Sequence, residues 1–334
     1  MSDKLRVAVI GAGAIAQVAH LSVLSRLDDV ETVALCDADL VKARSIAARL
    51  EIPEVFDDAE DLLSTAKPDA VVICTPNHLH EVHAVSALAA GAHVLCERPL
   101  AITEEGLRRV RDEQRRRGRV VMVGMNHRFR SDVQAARQFL AGGELGSLRS
   151  IRAGWYTFQT EAQQRSWRAR LAQSGGGAML DLGLPIVDLA LWLAGYPEVV
   201  RVSAVFARGD GEVEDSGCAL LRCAGGVSIF VDVSWQYIDR EEKFWFRLVG
   251  DAGSAKLAPL RVYKKMHGAP VDVTPSGAVG RQDQFTFSYR AEWAHFLGIV
   301  RGSVEGRTLD DQLRLHRTMD ALQRSAAQGR DVEL

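Results

Sequence analysis

Residues 11–16 read GAGAIA, directly after the apolar run Val7–Ile10, and the fold turns on how this stretch is read. A short, continuous apolar run is what a strand covered on both faces looks like. Gly11, Gly13 and Ala16 then fall in a G-x-G-x-x-A spacing at the opening of a helical pattern over Ile15–Leu27. Gly11 suits a tight turn out of the strand, Gly13 lets the backbone approach a pyrophosphate, and Ala16 keeps helix and strand close. The anion would sit on the helix N-terminus, which adds Ala14 and Ile15 to the cofactor-binding candidates. The same spacing also occurs as a plain glycine turn. Here, however, Asp37 ends a second apolar run, Thr32–Cys36, 26 residues after Gly11 (37 − 11). An aspartate there can accept both ribose hydroxyls of NAD and repels the 2′-phosphate of NADP. The next residues, Ala38, Asp39 and Leu40, include no arginine to offset it. NAD is therefore the expected cofactor.

Outward from this stretch, apolar runs at Val71–Cys74, His93–Cys96 and Val120–Val123 alternate with helical patterns at Ala38–Leu50, His80–Ala89 and Glu104–Arg117. That alternation specifies a doubly wound parallel sheet. The character changes near residue 124. Gly175–Gly177 leads into a helix expected over about Pro185–Leu193. Long β-type stretches follow at Val200–Arg208, Cys218–Trp235, Phe244–Leu257 and Leu260–Lys264, and a helical period returns over Tyr289–Ala327. The expected class is α/β. A dinucleotide-binding domain spans 1–123, and an α+β domain with a large open, mainly antiparallel sheet spans 124–334, its C-terminal helices free to pack back on the first domain.

The chain has 334 residues, 47% hydrophobic and 25% charged, with a net charge of −2. This is an ordinary globular composition without the basic footprint of nucleic-acid or anionic-membrane binding. No apolar run of about 18–20 residues stands out, so no membrane span is expected. A strand begins almost at once, which argues against a leader peptide and for a cytoplasmic protein. The five cysteines form no CxxC pair and have no histidine at zinc-ligand spacing. They read as reduced core residues, and no metal is expected.

Residues 93–100, HVLCERPL, raise a separate question: a buried run passes straight into Glu97 and Arg98 before Pro99 stops it. Ligands of open α/β sheets bind outside the carboxyl ends of the strands, which gives both charges a reason to be there. An ion pair capping the strand end is the plain alternative. GAGAIA, TPNHLH (75–80), GAHVLCERPLA (91–101), VGMNHRF (123–129), GELGSLRSIRA (143–153), GGGAMLDLGLPIVDLALWLAG (175–195) and SAAQGRDVEL (325–334) occur in the order of one family. Over essentially its whole length the chain resembles the Gfo/Idh/MocA oxidoreductases. The resemblance implies a Rossmann domain, a substrate domain whose open sheet packs in homodimers or homotetramers, and hydride transfer between a nicotinamide and a carbon of a sugar, polyol or sugar nucleotide.

By the same resemblance, Thr75, Pro76, Asn77 and His80 line the cofactor, His80 being equally readable as a helix-start residue. Glu97 lies near the nicotinamide ribose. Asn126, His127 and Arg128 face the substrate, and Asp181 carries a catalytic motif. Two positions depart from the pattern: the usual lysine after Glu97 is Arg98, and the histidine four residues after the aspartate is Pro185. Arginine can hold an oxyanion or carboxylate but cannot shuttle protons, and proline can do neither. Catalytic candidates are thus Arg98 for the substrate oxygen, which is also counted among the residues at the cofactor, and for the proton His127 as first choice, then Asp181, with Tyr156 a weaker choice. Two alternatives stay open: a catalytically silent NAD-binding sensor, and an enzyme that recycles tightly bound NAD to give net hydrolysis, elimination or epimerisation.

Overall fold

The computed structural model describes residues 4–275 and 284–334. They form two compact units. One runs to Asn126 and includes Ser288–Asp310; the other comprises His127–Phe287 and Asp311–Leu334. The division falls three residues beyond the one expected from sequence, and a late segment returns to the first unit.

In the first unit, β1 (Leu5–Ile10), β2 (Val30–Cys36), β3 (Glu54–Phe56), β4 (Ala70–Ile73), β5 (His93–Glu97) and β6 (Val121–Gly124) form one parallel sheet in the order β3-β2-β1-β4-β5-β6. The order reverses between β1 and β4. The inner strands are wholly apolar where helices cover both faces, as β4 shows, with all four residues buried. β3 and the following helix Ala59–Ala66 escape the sequence reading because β3 is three half-buried residues at an edge. Side-chain caps fix the helix starts: Asp39 accepts from the Lys42 N–H (3.0 Å), and Thr103 accepts from the Gly106 N–H (3.1 Å). Tyr289, Trp293, Phe296 and Leu297 of the late segment join the core built from β1, β2 and β4.

The second unit is built on a nine-stranded sheet. Its strands are β7 (Leu148–Tyr156), β8 (Val199–Ala207), β9 (Ser216–Cys223), β10 (Ser228–Ser234), β11 (Lys243–Gly250), β12 (Gly253–Leu257), β13 (Arg261–Met266), β14 (Ala269–Asp272) and β15 (Val332–Glu333), in the order β14-β13-β12-β11-β7-β10-β9-β8-β15. All pairs are antiparallel except β7 with β10. β7 is central yet was not legible as a strand, because Arg149, Ser150 and Arg152 alternate with the buried Ile151 and Ala153. The stretch Cys218–Trp235 is two strands, reversed at Gly225 and Gly226, both with positive φ.

The helix expected to begin at Pro185 begins earlier, at Ala178, and passes through a π turn at Met179–Gly183 before the α-helix Leu184–Leu193. The Leu184 N–H donates to the Met179 carbonyl, five residues back. This wider register accommodates a proline, which has no N–H to give, inside the helical run. Contrary to the sequence reading, the stretch Leu171–Leu193 is long and apolar enough to cross a membrane by length and composition. Its most apolar window is mostly buried, however, and the stretch bends at Gly175–Gly177. The five cysteines are free; four are buried and Cys218 is half-buried.

Glu214 caps the start of this helix from another segment. Its Oε1 accepts from the N–H groups of Gly177 (3.0 Å) and Met179 (3.1 Å), and its carbonyl accepts from Ala178 (2.9 Å). Gly177 allows this approach, since a Cβ there would lie 1.9 Å from the Glu214 carbonyl oxygen. Burial pushes the Glu214 carboxyl above its ordinary value, against the backbone N–H bonds from Glu214 itself, Met179 and Gly177. The folded state then holds this proton more tightly than the unfolded chain. That contribution is complete below the ordinary carboxylate pKa of about 4.3 and is lost as pH rises through the raised value. Glu214→Gln keeps the acceptor without the buried charge and is expected to match or exceed the parent Tm at pH 8, the gap closing at acid pH. Glu214→Ala is expected to cost about 1–2 kcal/mol. Thermal unfolding followed by circular dichroism measures both; a glutamine variant as damaged as the alanine variant at pH 8 would contradict the assignment.

Candidate active site

At the carboxyl end of the first sheet, Gly11 (φ +96°) passes so close to β4 that a Cβ would lie 2.7 Å from the Cys74 carbonyl carbon and 2.8 Å from the Thr75 nitrogen. Only glycine fits. A Cβ on Gly13 would find nothing nearer than 4.0 Å, so the loop is open on the side where a pyrophosphate would approach. Ala14 is exposed and Ile15 half-buried at the helix start, while Ala16 is buried against the sheet. The Thr75 hydroxyl is buried with no hydrogen-bond partner among the described residues. An open glycine loop at a helix N-terminus, beside an unsatisfied hydroxyl, fits a dinucleotide.

Asp37 is tied to that loop. Its Oδ2 accepts from the Ala12 N–H (2.7 Å), and its Oδ1 accepts from the Asp39 N–H (2.9 Å) and pairs with Lys42 Nζ (2.9 Å). Burial works against the charge, but Lys42 and the two N–H groups outweigh it and hold the carboxyl below its ordinary range. Lys42 is a cation that the sequence reading passed over, having looked only at the three residues after Asp37. It is five residues on, in the first turn of the helix Leu40–Leu50, which brings it back over the strand end.

Glu97 and Arg98 close β5, followed by a cis Arg98–Pro99 peptide. Glu97 Oε1 meets His20 Nε2 at 2.9 Å and accepts from the Tyr289 hydroxyl at 3.3 Å; the Trp293 indole N–H donates to His20 Nδ1 at 3.0 Å. Burial alone would raise the Glu97 carboxyl, but the His20 contact, aided by the Arg98 charge, brings it below its ordinary value. His20 and its aromatic partners carry no motif signal, and only the fold brings residues 20, 97, 289 and 293 together. His80 is also buried, with Nδ1 2.7 Å from the Pro99 carbonyl and Nε2 2.7 Å from the Thr75 carbonyl. Burial lowers its pKa against the pull of these two acceptors. The ring therefore braces the two loops from behind.

Asn126, at the end of the first unit, donates to the Ser288 hydroxyl (3.1 Å). In the second unit, His127 is buried between Trp155 and Phe244, ring centroids 5.1 and 5.4 Å away. Arg128 forks onto Asp188 (Nε to Oδ2, 2.7 Å; Nη2 to Oδ1, 2.5 Å) and also donates to the Tyr196 hydroxyl (3.0 Å). Its guanidinium thus anchors the 126–129 turn. Asp181 lies on the π turn with its side chain 32% exposed; the Trp235 indole N–H donates to it (3.3 Å), and the Arg168 Nε lies 3.9 Å away. Arg168 also stacks over the Trp167 ring. Tyr156 donates to Asp232 at 2.5 Å. Among the described residues no group of His, Cys, Asp or Glu is arranged to hold a metal.

A doubly wound sheet with a fingerprint loop, an acidic β2 end and charged residues closing β5 defines an NAD-dependent oxidoreductase. The sequence model of an oxidoreductase family with an NAD-binding Rossmann fold matches residues 5–125, and that of the GFO/IDH/MocA C-terminal domain matches residues 133–256. D-glucoside 3-dehydrogenase of Escherichia coli is 32% identical over 80% of this chain and 81% of its own, and inositol 2-dehydrogenase 2 of Saccharopolyspora erythraea is 28% identical over 97% and 94%. The crystal structure of GenD2 from gentamicin A biosynthesis, in complex with NAD, superposes with TM-score 0.86 at 28% identity, covering 100% of this chain and 97% of that one. The chain belongs to the Gfo/Idh/MocA oxidoreductases.

Asp37 and Lys42 make nucleotide preference testable. The parent is expected to bind NAD about tenfold or more tightly than NADP, from a charge-assisted ribose contact and like-charge repulsion of the 2′-phosphate. Asp37→Asn leaves Lys42 without its anion, so the gap is expected to close or reverse. Calorimetric titration of both nucleotides reads this; a ratio unchanged by Asp37→Asn would refute it.

Proposed function

We propose that this protein interconverts a carbinol and a ketone on a sugar, polyol or related carbohydrate, with Arg98 as the fixed cation for the reacting oxygen and Asp181 as the proton acceptor. The observation that carries the reading is the pairing at the end of β5. Glu97 is anchored as a carboxylate, and beside it, at the place the family resemblance gives to a lysine, stands a permanently charged arginine. The substrate class follows the named activities of the relatives, glucoside and inositol dehydrogenases. Those activities also favour a working dehydrogenase over a silent sensor.

NAD, when bound, supplies the hydride acceptor. Gly11 and Gly13 admit the pyrophosphate, Asp37 takes the ribose, and Thr75–Asn77 with Glu97 line the nicotinamide side. Arg98 orients the substrate oxygen with its planar N–H donors. As hydride leaves the carbinol carbon, the hydroxyl proton passes to Asp181, which is exposed enough to exchange it with solvent. His127 is more deeply buried and boxed by aromatic rings, so it acts here as a wall.

Arg98→Ala is expected to lower turnover by about 10²–10³, the size of losing one oxyanion donor, with NAD affinity largely kept. Asp181→Asn is expected to lower turnover by about 10²–10⁴, the size of losing a general base, while His127→Asn largely keeps it. Steady-state kinetics with glucoside and inositol substrates decide the matter; a loss of that size in His127→Asn and not in Asp181→Asn would reassign the acceptor.

The assembly follows from the sheet of the second unit. Its inner face is covered by the helix Leu184–Leu193 and its neighbours. On the opposite face Val205, Leu220 and Val249 are exposed beside half-buried Phe230 and Trp245, all on one side by strand register. We propose that a second copy of the chain covers this face, since apolar side chains exposed on one sheet face among arginines, here Arg152, Arg222 and Arg247, are typical of an interface. Light scattering behind a sizing column is expected to give a dimer or tetramer, and Leu220→Glu to shift it toward monomer; a monomeric parent at micromolar concentration would overturn this.

A further inference from the structure

The contacts around Glu97 fix more than its position. The Trp293 indole N–H can only donate. His20 Nδ1, 3.0 Å from it, must therefore carry a lone pair. The ring proton then sits on Nε2, which donates to Glu97 Oε1 at 2.9 Å. A second proton on Nδ1 would set two donors face to face, so the indole holds His20 neutral and in one tautomer. His20 is fully buried, with the Tyr289 and Trp293 rings standing edge-on to it. A buried histidine beside a carboxylate ordinarily gains a proton and neutralises it; here that route is closed. Glu97 keeps its full charge. Oε1 is occupied by His20 and Tyr289, and Oε2 accepts from no group among the described residues.

We propose that Trp293 and His20 are positioning residues that lock Glu97 as an unneutralised carboxylate, and that this charge makes the site prefer the oxidised, cationic nicotinamide over the reduced, neutral one. The proposal rests on the reading that the end of β5 receives the nicotinamide riboside. The other titratable or charged groups facing Glu97 and its partners are Arg98, His80, Cys74, Cys96, Tyr289 and Glu292. Arg98 is a fixed cation next in sequence. Burial raises Cys74, Cys96 and Tyr289 well above their ordinary values and lowers His80. These groups are common to the parent and the variants below, so a response confined to one variant belongs to His20.

The test is calorimetric titration of the full chain with NAD+ and with NADH between pH 5.5 and 8.5, reading the ratio of the two dissociation constants. In the parent this ratio is expected to favour NAD+ and to stay level across the range. Trp293→Phe frees Nδ1 to take a second proton. With that second proton His20 carries a positive charge that offsets Glu97. The NAD+ affinity is then expected to drop threefold to tenfold while the NADH affinity holds. Glu97→Gln, nearly isosteric, is expected to lower the NAD+ preference at every pH and to remove the pH response when combined with Trp293→Phe. Should Trp293→Phe fail to fold, the Glu97→Gln ratio alone decides. Equal loss of both affinities in Glu97→Gln would overturn the charge proposal and leave the nicotinamide reading standing. No change in either affinity would overturn both. A pH response of Trp293→Phe that survives Glu97→Gln would also overturn it.

Discussion

The contact between Gly11 and the Cys74 carbonyl is the constraint on which the first unit depends. β1 and β4 are neighbours at the point where the strand order reverses, and their chains part there to opposite sides of the sheet. They can part so tightly because residue 11 has no Cβ: one would stand 2.7 Å from the Cys74 carbonyl carbon. From this contact follow the sharp entry into the first helix, the aim of the Ala12 N–H at Asp37, and the placing of the Thr75 hydroxyl beside the loop. The fingerprint is therefore a packing requirement first. The open space at Gly13 is what packing leaves over, at a helix N-terminus whose positive end favours an anion.

Local signals made part of this legible. The runs that became β1, β2, β4 and β5 are continuous because both of their faces are covered, and their ends carry Asp37, Thr75 and Glu97 where a doubly wound sheet collects its ligands. β3 was lost because three half-buried residues hold no period, and β7 because its Arg and Ser residues alternate with buried ones. Lys42 and His20 escaped for a different reason. Each acts through a partner distant in sequence or one helical turn away, and nothing in the local spacing marks it. The π turn before Pro185 was equally hidden. Proline signals a first helical turn by its missing N–H, yet a five-residue register meets the same condition inside a longer helix.

Two buried charges in this protein are handled in opposite ways, and the contrast separates support from function. Arg128 and Asp188 form a bidentate pair closed further by Tyr196, so each charge is met at short range by the other. Burial would lower the Arg128 pKa, but the carboxylate beside it raises it well above the ordinary value. Such a pair holds geometry, and breaking one side would strand the other charge in a poorly solvated site. Glu97 is met instead on one oxygen by the His20 ring and the Tyr289 hydroxyl, with the Arg98 charge next in sequence. A carboxylate held by hydrogen bonds rather than by a bidentate cation costs more to bury and, on the proposal made above, suits a site that receives a cation.

The departures at Arg98 and Pro185 share a physical consequence. The resemblance places a lysine and a histidine there, and each can give up a proton near neutral pH. Arginine and proline cannot. Both changes replace an exchangeable proton with something fixed: a permanent charge in one case, and a ring held in a helical run by a π turn in the other. Asp181 stands on that same turn, with the Trp235 N–H and the Arg168 guanidinium as neighbours. Both are donors that keep their protons, so they can steady a carboxylate but cannot relay from it. On the proposed reading the exposed side of Asp181 opens a route for its proton to water. The reaction then depends on charges set in place before the substrate arrives, which stabilise a developing oxyanion without any reorganisation at the moment of transfer.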